Sequence, residues 1–216
     1  MKKLLIAIFV TIFTLFLSSC NKYNVDNELK KVVEIECIKS NGSLYATGFF
    51  INNEGLILTN KHVVNNLDND CTIKVRLEND DVKDAMVLDI SNKYDLALIK
   101  IDYNSDYFTF CEKFKIGDKV HSFGNPKGYG ITLYEGIISS TLKNVNYNDK
   151  SILAIQTNIE IYDGCSGGPL INENGSVVGI MTFRIKDNGS YISGLSFGIP
   201  SMIIDEYIKE KGEKKK

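Results

Sequence analysis

From Val32 onward, apolar positions fall in short runs separated by Asn, Gly and other turn formers, a pattern of many brief strands. Thr72 to Leu77 alternates polar and apolar residues with the period of two that lays one face of a strand on a core. The runs Leu96 to Ile101 and Ser176 to Phe183 are rich in β-branched or bulky apolar residues and predict further strands. Asn53-Glu54-Gly55 and Asn174-Gly175 supply the glycine that hairpin turns require. Helical periodicity is strong only near the end, from Ser201, where Met202, Ile203, Tyr207 and Ile208 share one face. Pro200 precedes this helix, Ser201 is placed to cap it and Gly212 to end it, and the remaining tail is a solvated charge run.

Two stretches echo each other about 120 residues apart. Gly48 opens GFFINNEGLIL and Gly168 opens GPLINENGSVVGI; both run strand, Asn/Gly turn, strand, with Ile-Asn at the same offset. Hairpin chemistry alone explains the coincidence. The alternative is a pair of similar β-barrels divided near residues 104 to 116, with a cleft between them where distant side chains meet.

The N-terminus stands apart. Lys2 and Lys3 precede an apolar run from Leu4 to Leu17 that would rise about 21 Å as a helix, too short for a hydrocarbon core of about 30 Å. That is the pattern of an export signal over residues 1–19. Leu17-Ser18-Ser19-Cys20 resembles a bacterial lipobox, which implies that Cys20 becomes the lipidated first residue of the mature protein and ties it to a membrane surface. Across 216 residues the apolar share of 44% and charged share of 24% are those of a globular protein. A net charge of −2, near −4 without the two leader lysines, argues against nucleic acid as a partner. Cys37, Cys71, Cys111 and Cys165 remain after the leader; two disulfides and a scatter of small buried thiols are both open. No C-x-x-C spacing supports a metal site.

The chain has two histidines. His121 lies inside an apolar strand and reads as a packed or edge residue, whereas His62 follows Thr59-Asn60-Lys61 at a strand end. Asp95 opens a run of buried apolar residues, where a carboxylate needs hydrogen-bond partners; an imidazole N–H is one. Ser166 sits in DGCSGGPL. Attack on a carbonyl develops an oxyanion best met by preorganised backbone N–H groups, and Gly164 frees the backbone to aim one. The spacing is not the G-x-S-x-G elbow of α/β-hydrolases.

His62, Asp95 and Ser166 occur in the order of chymotrypsin-like serine proteases, and the surrounding segments resemble the bacterial HtrA (Deg) branch. The histidine segment GFFINNEGLILTNKHVV, the aspartate segment YDLALIKI and the serine segment QTNIEIYDGCSGGPLINENGSVVGI carry the likeness. IGDKVHSFGNPKGYGITLYEGIIS and GLSFGIPS add to it, from roughly Val32 to Ser201. The resemblance implies an all-β fold of two antiparallel six-stranded β-barrels (chymotrypsin-like), with the active site between them and a short C-terminal helix. On that reading residues 20–31 are a lipidated tether and residues 32–209 the protease domain. Within it, barrel one covers about 32–110, barrel two about 111–200 and the helix about 201–210, with a charged tail at 211–216. It implies Ser166 as nucleophile, His62 as general base and then acid, Asp95 as orienting carboxylate, and the N–H groups of Gly164 and Ser166 as oxyanion hole. No metal or cofactor is implied, and the partners are polypeptide substrates, exported or unfolded, at a bacterial cell envelope. Many HtrA relatives carry PDZ domains after the protease; this chain stops about ten residues past the expected helix and is expected to lack one.

Two departures qualify the likeness. Family members usually carry Asn or Asp where this chain has Cys165, which is open as a small buried group, a disulfide partner or a redox-sensitive element. By the family's spacing Ile161, Arg184 and Ile185 fall near the primary specificity pocket: the isoleucines favour an apolar residue before the scissile bond, and Arg184 admits an acidic one if it points inward. Glu160 stands where trypsin-like enzymes hold an acid, but the HtrA-like register turns that position elsewhere. A catalytically silent protease fold that binds peptides, its oxyanion hole collapsed around Cys165, is the alternative reading.

Overall fold

A computed structural model describes residues 24–40, 42–65, 72–147 and 150–213. The leader, Cys20 and Cys71 lie outside the described residues. After a five-residue helix α1 (Val25–Leu29), six strands follow: β1 (Val32–Lys39), β2 (Gly42–Phe50), β3 (Leu56–Thr59), β4 (Thr72–Arg76), β5 (Val82–Ile90) and β6 (Ala97–Lys100). A single turn of helix, α2 (Lys61–Val64), follows β3. The second set is β7 (Lys119–Gly124), β8 (Thr132–Tyr147), β9 (Lys150–Thr157), β10 (Pro169–Asn172), β11 (Val177–Asp187) and β12 (Ser190–Pro200), followed by helix α3 (Ser201–Glu213). Each set closes on itself as an antiparallel barrel, in the order β1-β2-β3-β6-β5-β4 and β7-β8-β9-β12-β11-β10. Closure removes the exposed edges that a sheet of short strands would otherwise present.

The two barrels share one topology, yet the echoing hairpins are not equivalent. The first joins the second and third strands of its barrel, the other the fourth and fifth of its own. Their likeness comes from one turn device. Asn52 Oδ1 accepts the backbone N–H of Glu54 and Leu56, and Asn172 Oδ1 accepts those of Asn174 and Ser176, all at 3.0 Å. Gly55 and Gly175 then take the positive φ, +79° and +77°, that closes each turn.

Alternation along β4 buries Ile73 and Val75, with Leu77 beyond them, in the core of the first barrel with Val33, Ile35 and Ile99. The second barrel closes over Val120, Ile138, Ile155, Leu170 and Met181. Between the barrels runs an apolar seam of Phe49, Leu58 and Leu98 against Phe123, Ile180 and Ile199. Each such side chain contributes about 1.5–3 kcal/mol on burial, so the halves hold together as one body. Helix α3 closes this seam with Ile204 and Tyr207, flanked by Ile203 and Ile208. Met202 is not part of that apolar cluster; Ile204, one turn before Ile208, takes the place expected for it. Ser201 does not cap: its buried hydroxyl donates to the carbonyl of Cys111 at 2.8 Å, and the helix runs through Gly212 to Glu213. Tyr207 donates to Asp89 Oδ2 at 2.6 Å and Lys211 pairs with Asp89 at 2.8 Å, which fastens α3 to β5. Among the described residues no helix is long and apolar enough to cross a membrane.

Candidate active site

Helix α2 begins where β3 leaves the first barrel, and its second residue is His62. Asp95 lies just before β6, the strand paired with β3, so the two side chains meet although 33 residues separate them. Asp95 Oδ1 accepts the backbone N–H of His62 at 2.8 Å, and Oδ2 lies 2.7 Å from His62 Nδ1. Both partners that a carboxylate at the edge of a core needs are therefore supplied by one residue. A carboxylate accepts, so Nδ1 carries the hydrogen and Nε2 keeps its lone pair for a second donor. The imidazole is about half exposed and Asp95 is more enclosed, at 45% and 20% side-chain accessibility.

Ser166 lies in the turn before β10 and shares with His62 a cleft of about 540 Å³. Its hydroxyl donates to the carbonyl of Thr182 at 3.3 Å, and among the described residues no hydrogen bond joins it to His62. The structure thus pairs His62 with Asp95 and holds the Ser166 hydroxyl turned aside toward β11. Active-site hydrogen bonds are commonly loose without substrate.

Around Ser166 the backbone is locked from three sides. Gly164 (φ +100°) and Gly167 (φ +88°) occupy the left-handed region, and a Cβ on either would land 2.0 Å from a carbonyl oxygen, that of Asn125 or of Thr47. Only glycine fits both conformation and space. The carbonyl of Asp163 accepts the N–H of Lys127 at 2.8 Å. In a trans peptide C=O and N–H point opposite ways, so this bond turns the Gly164 N–H away from Lys127. Lys127 is itself at φ +54°, a strained conformation for a residue with a side chain, held in the single 3₁₀ turn Pro126–Gly128.

The first barrel contributes the remaining support, from residues that the motif reading missed. Thr47 Oγ1 donates to the Gly164 carbonyl at 2.7 Å and accepts the Asn125 N–H at 2.9 Å, while its own N–H donates to the Ser166 carbonyl at 3.0 Å. Thr59 Oγ1 donates to the Thr47 carbonyl at 2.8 Å. Asn60, just before the histidine helix, donates to the Asp95 carbonyl at 2.8 Å and to Thr182 Oγ1 at 3.2 Å, bridging the barrels. Asn125 Nδ2 donates to Glu34 at 2.8 Å, and burial pushes the Glu34 carboxyl up from its ordinary range. The available signal was position: Thr59, Asn60 and Asn125 lie inside segments already singled out, and Thr47 directly precedes one at Gly48.

Cys165 is a buried free thiol and Cys111 a partly covered one, while the buried Cys37 Sγ donates to the carbonyl of Val63 at 3.5 Å. Cys165 packs against Gly124, where an added Cβ would lie 2.7 Å from its Sγ, and 3.6 Å from the hydroxyl of Tyr134. Burial pushes the thiol up, which keeps it protonated and inert. Ile161 is buried beneath the cleft, while Arg184 and Ile185 are half-buried on β11; all three line it with His62 and Ser166. Glu160 is not part of the lining; it accepts hydrogen bonds from Ser193 and Tyr162 instead. His121 lies on β7, where its Nε2 is 3.6 Å from Glu135.

Two six-stranded barrels with a His–Asp pair and a serine at their junction define the class of chymotrypsin-like proteins. The chain belongs to the trypsin-like peptidase domain family, whose pattern matches residues 46–180. It is 36% identical over 176 residues to serine protease HTR4 of Bos taurus, covering 78% of this chain and 34% of that protein. To a probable periplasmic serine endoprotease DegP-like of Chlamydia pneumoniae it is 36% identical over 179 residues, covering 80% and 36%. Among solved structures it is similar to the HtrA-type protease AlgW with tripeptide, with TM-score 0.78, 30% identity and coverage of 86% of this chain and 61% of that one. The serine endoprotease from Yersinia pestis is similar at TM-score 0.74 and 30% identity, covering 86% and 64%. The chain spans about a third of the length of the curated relatives it matches.

Proposed function

We propose that this protein is a serine endopeptidase that cleaves polypeptides through an acyl-enzyme. The observation that carries the reading is the double engagement of Asp95 by the ring and backbone of His62, beside Ser166 in one cleft. Ser166 rotates from Thr182 toward Nε2, and His62 takes the hydroxyl proton as Oγ bonds to the substrate carbonyl carbon. Asp95 holds the ring in the tautomer that can accept this proton. The carbonyl oxygen becomes an oxyanion, and the N–H groups of Gly164 and Ser166 receive it, the first aimed by the bond between Asp163 and Lys127. His62 returns the proton to the departing amine, and water, deprotonated by the same ring, releases the acyl group and regenerates Ser166.

The site is carried at a bacterial envelope by a lipid on Cys20, and the substrates are exported or unfolded proteins. The lipobox-like sequence supports the anchor, and the periplasmic designation of a DegP-like relative supports the compartment. A fluorophosphonate probe tests the chemistry. Labelling of the parent and loss of labelling in Ser166→Ala is expected; equal or absent labelling would leave a peptide-binding module. Cys20→Ala should move the protein from the membrane to the soluble fraction, and unchanged fractionation refutes the anchor.

A further inference from the structure

Arg184 does not reach into bulk solvent. Its guanidinium carbon lies 3.8 Å from the ring centroid of Tyr191 and 5.0 Å from that of Tyr162, two rings from separate segments that hold it at the cleft beside Ser166. Lys186, two residues on along β11, also lines the cleft and lies 4.6 Å from the Tyr191 ring. A register shift of the β11–β12 pair falls between Arg184 and Lys186, a bulge of the kind that re-aims side chains.

A guanidinium stacked by its faces keeps its N–H edges free, and those edges match a carboxylate in the plane. Among the described residues Arg184 has no ion pair and no side-chain hydrogen bond. The nearby acid forms no ion pair with it among the described residues. Glu160 is held by the Ser193 and Tyr162 hydroxyls, which, with the charge of Arg184, hold its carboxyl below the usual range. Asp163, the acid in the lining, forms no ion pair with Arg184 among the described residues.

We infer that Arg184, seated on Tyr162 and Tyr191, forms a carboxylate-binding subsite, so that this cleft selects polypeptide segments carrying Asp or Glu near the bond to be cut. The inference rests on the proposed peptidase reading for its biological use, but its test does not. Peptides amidated at the C-terminus, so that only a side chain carries the charge, place Glu or Gln at each position in turn. Their binding is measured on Ser166→Ala. At one position Glu should bind about tenfold more tightly than Gln, as expected for a half-exposed charge-assisted pair, and salt should erode the difference. Arg184→Gln, in the same background and checked for an unchanged melting temperature, should reduce the preference to less than about twofold. Arg184→Glu should turn it toward Lys, and Tyr191→Leu should weaken it. Equal binding of Glu and Gln peptides at every position overturns the inference. So does an Arg184→Gln variant that gains only bulky apolar peptides, since Arg184 would then be a plug. Absent fluorophosphonate labelling of the parent sinks the peptidase reading alone, because the binding comparison still reads the subsite.

Discussion

Replacing Thr47 by Val changes one hydroxyl for a methyl and keeps the shape of a strand residue. In the structure that hydroxyl serves two buried groups at once, the Gly164 carbonyl at 2.7 Å and the Asn125 N–H at 2.9 Å. Gly164 and Asn125 are both buried, with Asn125 fully so, and water does not reach them to compensate. Each buried group left without a partner costs about 1–3 kcal/mol, so after partial relaxation Thr47→Val should lose about 3 kcal/mol. For a protein of this size that lowers the melting temperature by about 6–12 °C. The catalytic effect follows from the same atoms. The Gly164 carbonyl fixes the turn that carries the N–H groups of Gly164 and Ser166, the proposed oxyanion donors, and complete loss of one such donor costs about 10²–10³ in kcat. Partial misplacement should cost about tenfold or more, with KM held within about twofold, because the donors act on the transition state. Thermal unfolding, followed by kcat and KM per probe-labelled site, checks both numbers. Thr47→Ser keeps the hydroxyl and should recover most of each. The reasoning fails if Thr47→Val melts and turns over like the parent. It fails equally if Thr47→Ser is as impaired as Val, since a packing methyl rather than the hydroxyl would then be what matters.

Further outcomes follow from neighbouring contacts. Asp95→Asn should reduce kcat by about 10⁴ with little change in melting, because an amide no longer imposes the reactive tautomer on His62; a loss below about tenfold would contradict the role given to Asp95. Gly124→Ala should destabilise by about 1–3 kcal/mol, since its Cβ would lie 2.7 Å from Cys165. Adding Cys165→Ala removes Sγ but keeps the Cβ that would also lie at 2.7 Å, so it should recover only part of that loss, and strict additivity in the double-mutant cycle would argue against the Sγ clash. Buried Cys165 should resist alkylation in the folded protein and react once denaturant is added, as peptide mapping would reveal. Glu34 is raised by burial, so the folded state holds its proton more tightly than the unfolded one. Its contribution is full below about pH 4.5 and is lost as pH rises through its folded value. Glu34→Gln should therefore gain stability over the parent at neutral pH relative to acid, and parallel unfolding curves at both pH values would refute this.

Much of the architecture is legible in the chain because hairpins are local. Asn52-x-x-Gly55 and Asn172-x-x-Gly175 each build a turn from side-chain to backbone bonds within four residues, and the strands on either side follow. The echo of these hairpins left coincidence and paired barrels both open; two barrels are present, yet the hairpins occupy different places in them. Local turn chemistry, not an equivalence of position, made the two segments alike. His62, Asp95 and Ser166 were legible because each lies in a distinctive setting. Thr47 and Asn125 were not: their bonds span 117 and 78 residues and involve neutral side chains that leave no periodic trace. Ser201 shows the same limit, for its hydroxyl takes a carbonyl 90 residues away in preference to the adjacent helix end. The setting of Arg184 depends on Tyr191 returning along β12 past a bulge, a register that no stretch of residues announces.

The fastening of α3 to β5 through Tyr207 and Asp89 bears on when the site comes into being. A chain emerging from the N-terminus finishes its first barrel at Lys100, well before Ser166 exists, and receives the seam-closing helix last. Neither half alone holds Ser166, His62 and the Thr47 brace together. On the proposed peptidase reading, a half-made chain therefore lacks part of the catalytic set, and the seam between the barrels is closed only once residues 201–213 are made. If the proposed chemistry holds, the order of synthesis by itself keeps its parts asunder until both barrels exist.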